Sequence, residues 1–221
     1  MEKLAAKIIE LTVTLPAILL AITIHEYAHG WVANRCGDPT AKMMGRLTLN
    51  PLAHLDPIGA IMLLLVHFGW AKPVPVNFNN LRNPKRDMVF VSIAGPAANI
   101  IVAVISAIFA RILFMVNYSI PPQIFTPFIS ILGFSVMINC ALAMFNIIPI
   151  PPLDGSKILM GLLPYNKTLW MSRIEPYGFI ILILLIMTGA VGVIMGAPLF
   201  FLTQLFMGKA LFLGLFGGFF S

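Results

Sequence analysis

Long apolar runs separated by short polar turns dominate the chain. No residue from Leu11 to Ile24 is charged, and the pattern predicts a first helix from about Ile8 to about Ala33. At ~1.5 Å per residue such a helix covers roughly 39 Å, enough to cross a bilayer with tilt. Pro16 inside it predicts a kink that neighbouring helices can accommodate, and the Asn34–Pro39 turn ends it. Further spans are expected from Met88 to about Val116, Phe125 to Ile148, Glu175 to Met195 and Pro198 to Phe220. Ile58 to Trp70 is equally apolar but only about 13 residues long, short of the ~17–25 a span requires. It reads as a re-entrant segment that dips in and returns, packed against the first and third spans. Met43–Asn50 sets Leu47 and Leu49 against Arg46, Thr48 and Asn50, a short period-two strand signal. The expected fold is an all-α polytopic membrane protein of about five transmembrane helices, with a re-entrant segment and a short β element. One membrane-embedded domain covers residues 1–221.

Composition supports the same class. The 221 residues are 59% hydrophobic and 10% charged, where a soluble domain carries about 25% charged residues, and mean hydropathy is +0.95. The first apolar run is too long, and too polar at its end, for a signal peptide, and lacks a small-residue cleavage site. Two cysteines, Cys36 and Cys140, imply neither a disulfide framework nor a zinc knuckle. The net charge of +6 marks a membrane face rather than nucleic-acid binding, so no nucleic-acid partner is expected and the lipid bilayer is. If Ile58–Trp70 returns, Arg35, Lys42, Arg46, Lys72, Arg82, Lys85, Arg86, Lys157, Lys167 and Arg173 share one side. The opposite loop, Asn117–Gln123, has no Lys or Arg. The positive-inside bias then places the N-terminus outside the cell membrane and the end of the first helix towards the cytoplasm. Gly192 with Gly196, and Gly214 with Gly218, give small-residue faces compatible with a homo-oligomer.

Ionisable residues near membrane depth are functional candidates by default, and one group stands out. His25-Glu26-Tyr27-Ala28-His29 has HExxH spacing, which puts two imidazoles on one helix face able to share one Zn²⁺. Glu26 is too close to His25 to be a good third ligand and suits a general base. For the third ligand the residues alone leave several carboxylates and a histidine open. His54 and Asp56 lie in a Pro-bounded turn that reads better as interfacial, and Glu175 is a distant acid. Asp154 follows Pro149, Pro151 and Pro152, which forbid continuous helix, so its backbone must be buried in protein or line a cavity. Asn146 sits on the same break. Gly95, Pro96, Ala97 and Ala98 permit close helix approach, with Asn99 beside them as a hydrogen-bonding group. Lys209, in the last span, fits snorkelling or an interior contact.

Taken together, His25-Glu26-x-x-His29, Gly95-Pro96 with Asn99, and Asn146-x-x-Pro149-x-Pro151-Pro152-Leu153-Asp154-Gly155 resemble the site-2 protease family of intramembrane zinc metalloproteases. Asn50–Gly59 and Gly69–Asn77 are similar to its compact bacterial and archaeal branch without PDZ or CBS domains. The resemblance implies one Zn²⁺ held by His25, His29 and Asp154, with Glu26 as base and Asn146 as an amide for substrate backbone or developing oxyanion. It also implies that Gly95, Pro96 and Asn99 shape the wall of the site. The substrate would be a transmembrane protein or peptide, unwound and paired by strand addition with Arg46, Leu47, Thr48 and the following residues. A zinc-binding scaffold without activity and an ion or metal transporter are the competing classes. The intact Glu26 argues against the first, and a single broken helix against the second.

Overall fold

The computed structural model describes residues 2–66 and 69–217. The helices in chain order are α1 (Glu2–Cys36), α2 (Thr40–Met43), α3 (Pro57–Val66), α4 (Pro84–Met115), α5 (Pro122–Ile147), α6 (Asp154–Leu162), α7 (Tyr165–Ile174), α8 (Gly178–Met187), α9 (Ala190–Met207) and α10 (Lys209–Phe216). Among the described residues, five stretches are long and apolar enough to cross a membrane: Leu11–Cys36, Pro84–Met115, Pro122–Ile147, Thr168–Met187 and Ala190–Met207. The chain is an all-α polytopic membrane protein.

The last two spans differ from the expected boundaries. Helix breaks fall at Gly189 (φ +75°) and Gly208 (φ +82°), where left-handed backbone suits a residue without a side chain. Pro198, expected to open the last span, lies inside α9, as membrane helices tolerate when neighbouring groups satisfy the freed carbonyl. Residues 218–221, which include Phe220 and Gly218, lie outside the described residues. Lys209 opens α10 and is exposed.

The strand expected over residues 46–50 does not form: the segment is irregular, with no ladder partner among the described residues. Its bonds are local: the Arg46 amide donates to the Ala41 carbonyl (2.8 Å) and the Asn50 amide to Thr48 Oγ1 (3.2 Å). The neighbouring Lys72–Val76 chain carries Pro73 and Pro75, which have no N–H to give a ladder.

The short apolar segment does return. Leu55 and Ala71 form an antiparallel bridge, and the Lys72 amide donates to the His54 carbonyl at 2.9 Å, so the segment begins and ends at one place. A Cβ on Gly59 would lie 2.1 Å from the Trp70 carbonyl oxygen, so only glycine permits that closure. The ten-residue α3 rises about 15 Å, half the hydrocarbon thickness. Residues 67–68 lie outside the described residues. The Trp70 ring meets Phe179 of α8 edge-on at 6.0 Å.

Two compact units make up the chain. One comprises Met1–Ala21, Asn99–Met144 and Ala190–Ser221. Its core sets Ala103, Ala107 and Ala110 of α4 with Ile129, Val136 and Cys140 of α5 and with Met207, Leu211, Phe212 and Phe216. Small residues on α4 allow close packing, and the phenyl rings fill the remaining space. Arg111 satisfies the Leu205 carbonyl near the end of α9 (2.9 Å). The other unit comprises Ile22–Ala98 and Phe145–Gly189 and carries the HExxH residues.

Candidate metal centre

His25 and His29 lie one turn apart on α1, with rings edge-to-face at 4.6 Å and exposures of only 6% and 8%. The chain returns to them through the proline break. α5 ends at Ile147, Pro149–Leu153 is non-helical, and Asp154 opens α6. A Cβ on Gly155 would sit 2.0 Å from the Ile147 carbonyl oxygen, so glycine is what lets α6 start directly against the end of α5. Asp154 Oδ2 then lies 3.2 Å from His25 Nε2 and 3.1 Å from His29 Nε2, and the two Nε2 atoms are 3.0 Å apart.

Protonation makes this cluster informative. His29 Nδ1 is 2.7 Å from the Val91 carbonyl, which can only accept, so Nδ1 carries the ring proton. In the neutral ring its Nε2 then presents a lone pair to the triad, held in orientation by a carbonyl of α4. Three electron-pair donors converge on one buried point, and these are the described residues' group able to hold a metal ion. Their separations are close to the ligand–ligand edge of about 3.3 Å expected for tetrahedral Zn²⁺ with bonds of 2.0–2.2 Å. The His₂Asp donor set fits Zn²⁺.

Gly95 of α4 faces this cluster. A Cβ there would lie 2.4 Å from His29 Nε2 and 2.7 Å from His25 Nε2, so the glycine keeps open the space in front of both imidazoles. Pro96 follows it inside α4. Glu26, next to His25, accepts the Val74 backbone amide through Oε2 at 2.7 Å. Val74 rests against Gly30, where a Cβ would come within 3.0 Å of Val74 Cγ1.

The remaining candidates separate clearly. Asp56 Oδ1 accepts the amides of Ile58 and Gly59, both at 2.9 Å, so it caps α3. His54 is fully buried, with Nε2 on the Thr48 carbonyl at 2.8 Å. Glu175 is exposed. None of the three joins the metal-binding group. Asn146 is half-buried in the last turn of α5. Asn99 belongs to the other unit, where its amide donates to the Ala21 carbonyl (3.0 Å) and to Asn139 Oδ1 (2.8 Å). Leu47 and Thr48 sit half-buried on the extended segment, and the Arg46 guanidinium reaches the carbonyls of Lys72 (3.0 Å) and Pro73 (3.3 Å).

Two contributions escape sequence reasoning. The Val74 amide is a backbone group without a side-chain signature, although the Pro73-Val74-Pro75 spelling isolates it as the one N–H of three residues. Asp38, read only as part of a turn, is fully buried. It accepts the Thr40 hydroxyl and amide, the Asn77 amide (2.7 Å) and Asn80 Nδ2 (2.9 Å), tying the end of α1 to residues 77–80. A buried Asp beside a Gly-Asp-Pro turn was the available clue.

Comparison with known proteins agrees with this geometry. Residues 13–127 and 115–189 match Peptidase family M50. The chain is 40% identical over 171 residues to a Bacillus subtilis protein named "Putative zinc metalloprotease YwhC", covering 77% of this chain and 78% of that one. It is 30% identical over 176 residues to "Putative zinc metalloprotease Rip2" of Mycolicibacterium smegmatis, covering 78% of this chain and 65% of the relative. No solved structure matches. The family match over most of the chain, on a buried His₂Asp cluster built around HExxH, places this protein in peptidase family M50, the site-2 protease family, as a zinc metalloprotease.

Proposed function

We propose that the protein is an intramembrane endopeptidase that hydrolyses peptide bonds within or near transmembrane segments of membrane proteins or peptides. The observation that carries this reading is the location of the triad. His25 and His29 are buried side chains of a stretch long and apolar enough to cross a bilayer, and ionisable groups there are costly unless they have a task.

Zn²⁺ supplies Lewis-acid polarisation of a carbonyl and lowers the pKa of a bound water to about 7. The chain's own residues supply the rest. His25, His29 and Asp154 hold the ion, and the His29–Val91 bond fixes one imidazole's tautomer. Glu26, adjacent to a ligand without being one, accepts the proton of the attacking water and returns it to the leaving amine. Asn146 is a donor for the developing oxyanion. Gly95 and Pro96 line the space before the ligands. The segment of residues 46–50, with Leu47 and Thr48 and no ladder partner among the described residues, offers an edge on which an unwound substrate pairs by strand addition. The basic side carries the ligand end of α1, so the active site faces the cytoplasm of the cell membrane and the N-terminus lies outside.

The test is Glu26→Gln in proteoliposomes with a membrane-spanning reporter peptide. Cleavage falls by at least about 10²–10³-fold, while zinc stays near one per chain. Full activity in the variant, or cleavage of soluble peptides in preference to membrane-spanning ones, would overturn the proposal.

A further inference from the structure

Among the described residues no side chain hydrogen-bonds the Glu26 carboxylate. Its partner is the Val74 amide, and that amide has a notable other end. Pro73 C=O and Val74 N–H belong to one peptide unit. Among the described residues the single cis peptide is Pro151–Pro152, so this unit is trans, with its carbonyl and amide pointing opposite ways. Glu26 Oε2 takes the amide end at 2.7 Å, and Arg46 Nη2 takes the carbonyl end at 3.3 Å while also holding the Lys72 carbonyl at 3.0 Å. An anion and a cation are thus joined through one peptide dipole, aligned favourably with both.

The sequence concentrates this contact. Pro73 and Pro75 lack N–H groups, so Val74 is the sole backbone donor of the three. Pro75 also biases Val74 to extended backbone, limiting the ways the amide can turn. The arm is pinned on both sides, by the Lys72 amide on the His54 carbonyl (2.9 Å) and by the Asn77 amide on Asp38 (2.7 Å). Arg46 is the one charged side chain among these anchors that reaches the peptide unit Glu26 uses.

We propose that Arg46 is a positioning residue for the general base: its guanidinium fixes the Pro73–Val74 peptide, and that peptide fixes Glu26 beside the metal ligands. The inference rests on the proposed role of Glu26. It assigns the Arg46 side chain to the enzyme's own backbone.

The experiment compares wild type, Arg46→Gln and Arg46→Lys in proteoliposomes, with zinc content, kcat and KM measured separately. Reporter binding is measured in the Glu26→Gln background with and without Arg46→Gln. Amide exchange at Val74 is followed in every protein. In Arg46→Gln, kcat is expected to fall about 10²-fold, the scale of a misplaced catalytic group. KM, reporter affinity and zinc stay within about twofold, and Val74 exchanges about tenfold faster after losing its charge-assisted hold. Arg46→Lys, which keeps a donor and the charge, falls between the two and serves as the test should the glutamine variant not fold. A rise in KM or weaker reporter binding at unchanged kcat puts Arg46 on the substrate and overturns the inference, as does loss of zinc or unchanged Val74 exchange. If instead Glu26→Gln cleaves like wild type, the base assignment itself fails, and Val74 exchange still reports whether Arg46 holds the peptide.

Discussion

In the unit containing Asn99–Met144 and Ala190–Ser221, the buried polar side chains among the described residues are Asn99, Ser106, Ser135, Asn139 and Thr203, none of which can carry a charge. In the unit formed by Ile22–Ala98 and Phe145–Gly189 they include His25, His29, Asp38, His54 and Asp87, all ionisable. Four of the first set work as glue: Asn99 bonds Asn139, Asn139 returns to the Ser135 carbonyl (2.9 Å), and Ser106 meets Ser135 (2.8 Å). Neutral amides and hydroxyls satisfy one another between helices at modest cost. Burying a charge is far more expensive unless it is paired or holds a metal. One unit therefore uses polarity to hold helices together, and the other concentrates the costly groups where chemistry and its supports require them.

The comparison breaks most severely at Gly95. Gly95→Ala places a methyl where His25 and His29 face each other, at distances no real Cβ contact tolerates. Zinc per chain is expected to fall from about one to near zero, with cleavage lost by at least about 10³-fold. An alanine at Gly192, which meets nothing within 4 Å, leaves both unchanged. Metal analysis of the purified variants decides it.

Next in size is the contrast between two aspartates of the same unit. Asp154→Ala removes one of the three convergent donors and is expected to weaken zinc binding by about 10²-fold or more. Asp56→Ala removes a helix cap, costing about 0.5–2 kcal/mol of stability without touching the metal. Titration with a competing chelator reads the first, and thermal unfolding the second. The reverse ranking would move the third ligand to the α3 turn.

Much of this site was legible because its chemistry is local in sequence. HExxH spacing fixes one face of α1, and Pro149, Pro151 and Pro152 announce the break that frees Asp154. The re-entrant segment was legible from length alone, since about 13 apolar residues cannot cross. What sequence did not show depends on partners distant along the chain. The strand signal at Arg46–Asn50 reads side-chain alternation, but a strand needs a donor-bearing neighbour, and the neighbour is Pro-Val-Pro. The boundary between α8 and α9 turned on which of Gly189 and Pro198 breaks a membrane helix, and the positive-φ glycine prevailed over the proline. The Val74–Glu26 bond joins residues 48 positions apart, with nothing in either side chain to announce it.

A smaller effect sharpens the other side of the comparison. Asn139→Ala deprives the buried Asn99 amide of an acceptor, so it is expected to cost about 1–3 kcal/mol with zinc content unchanged. Unfolding in detergent, with metal analysis alongside, measures both. Loss of zinc would show that the neutral network supports the metal centre and is more than helix glue.

The smallest effect is one of pH, and it belongs to Asp38. Burial alone raises its carboxyl, but hydrogen bonds from the Thr40 hydroxyl, the Asn80 amide and the Asn77 and Thr40 backbone outweigh burial and hold it below the usual carboxylate range. A group that binds its proton more weakly folded than unfolded contributes stability fully above the unfolded value of about 3.9. That contribution drains away as pH falls through the folded value. Asp38→Asn exchanges one acceptor oxygen for an amide that faces donors, so the variant unfolds at lower temperature near pH 7. The gap to wild type narrows as pH falls below about 4, where wild type loses the same carboxylate. Asn139→Ala is the control, since no titrating group is removed and its gap stays constant with pH. A constant gap for Asp38→Asn as well would mean that the bonds at residue 38 do not depend on its charge, and that the ionisable unit is held together much as the neutral one is.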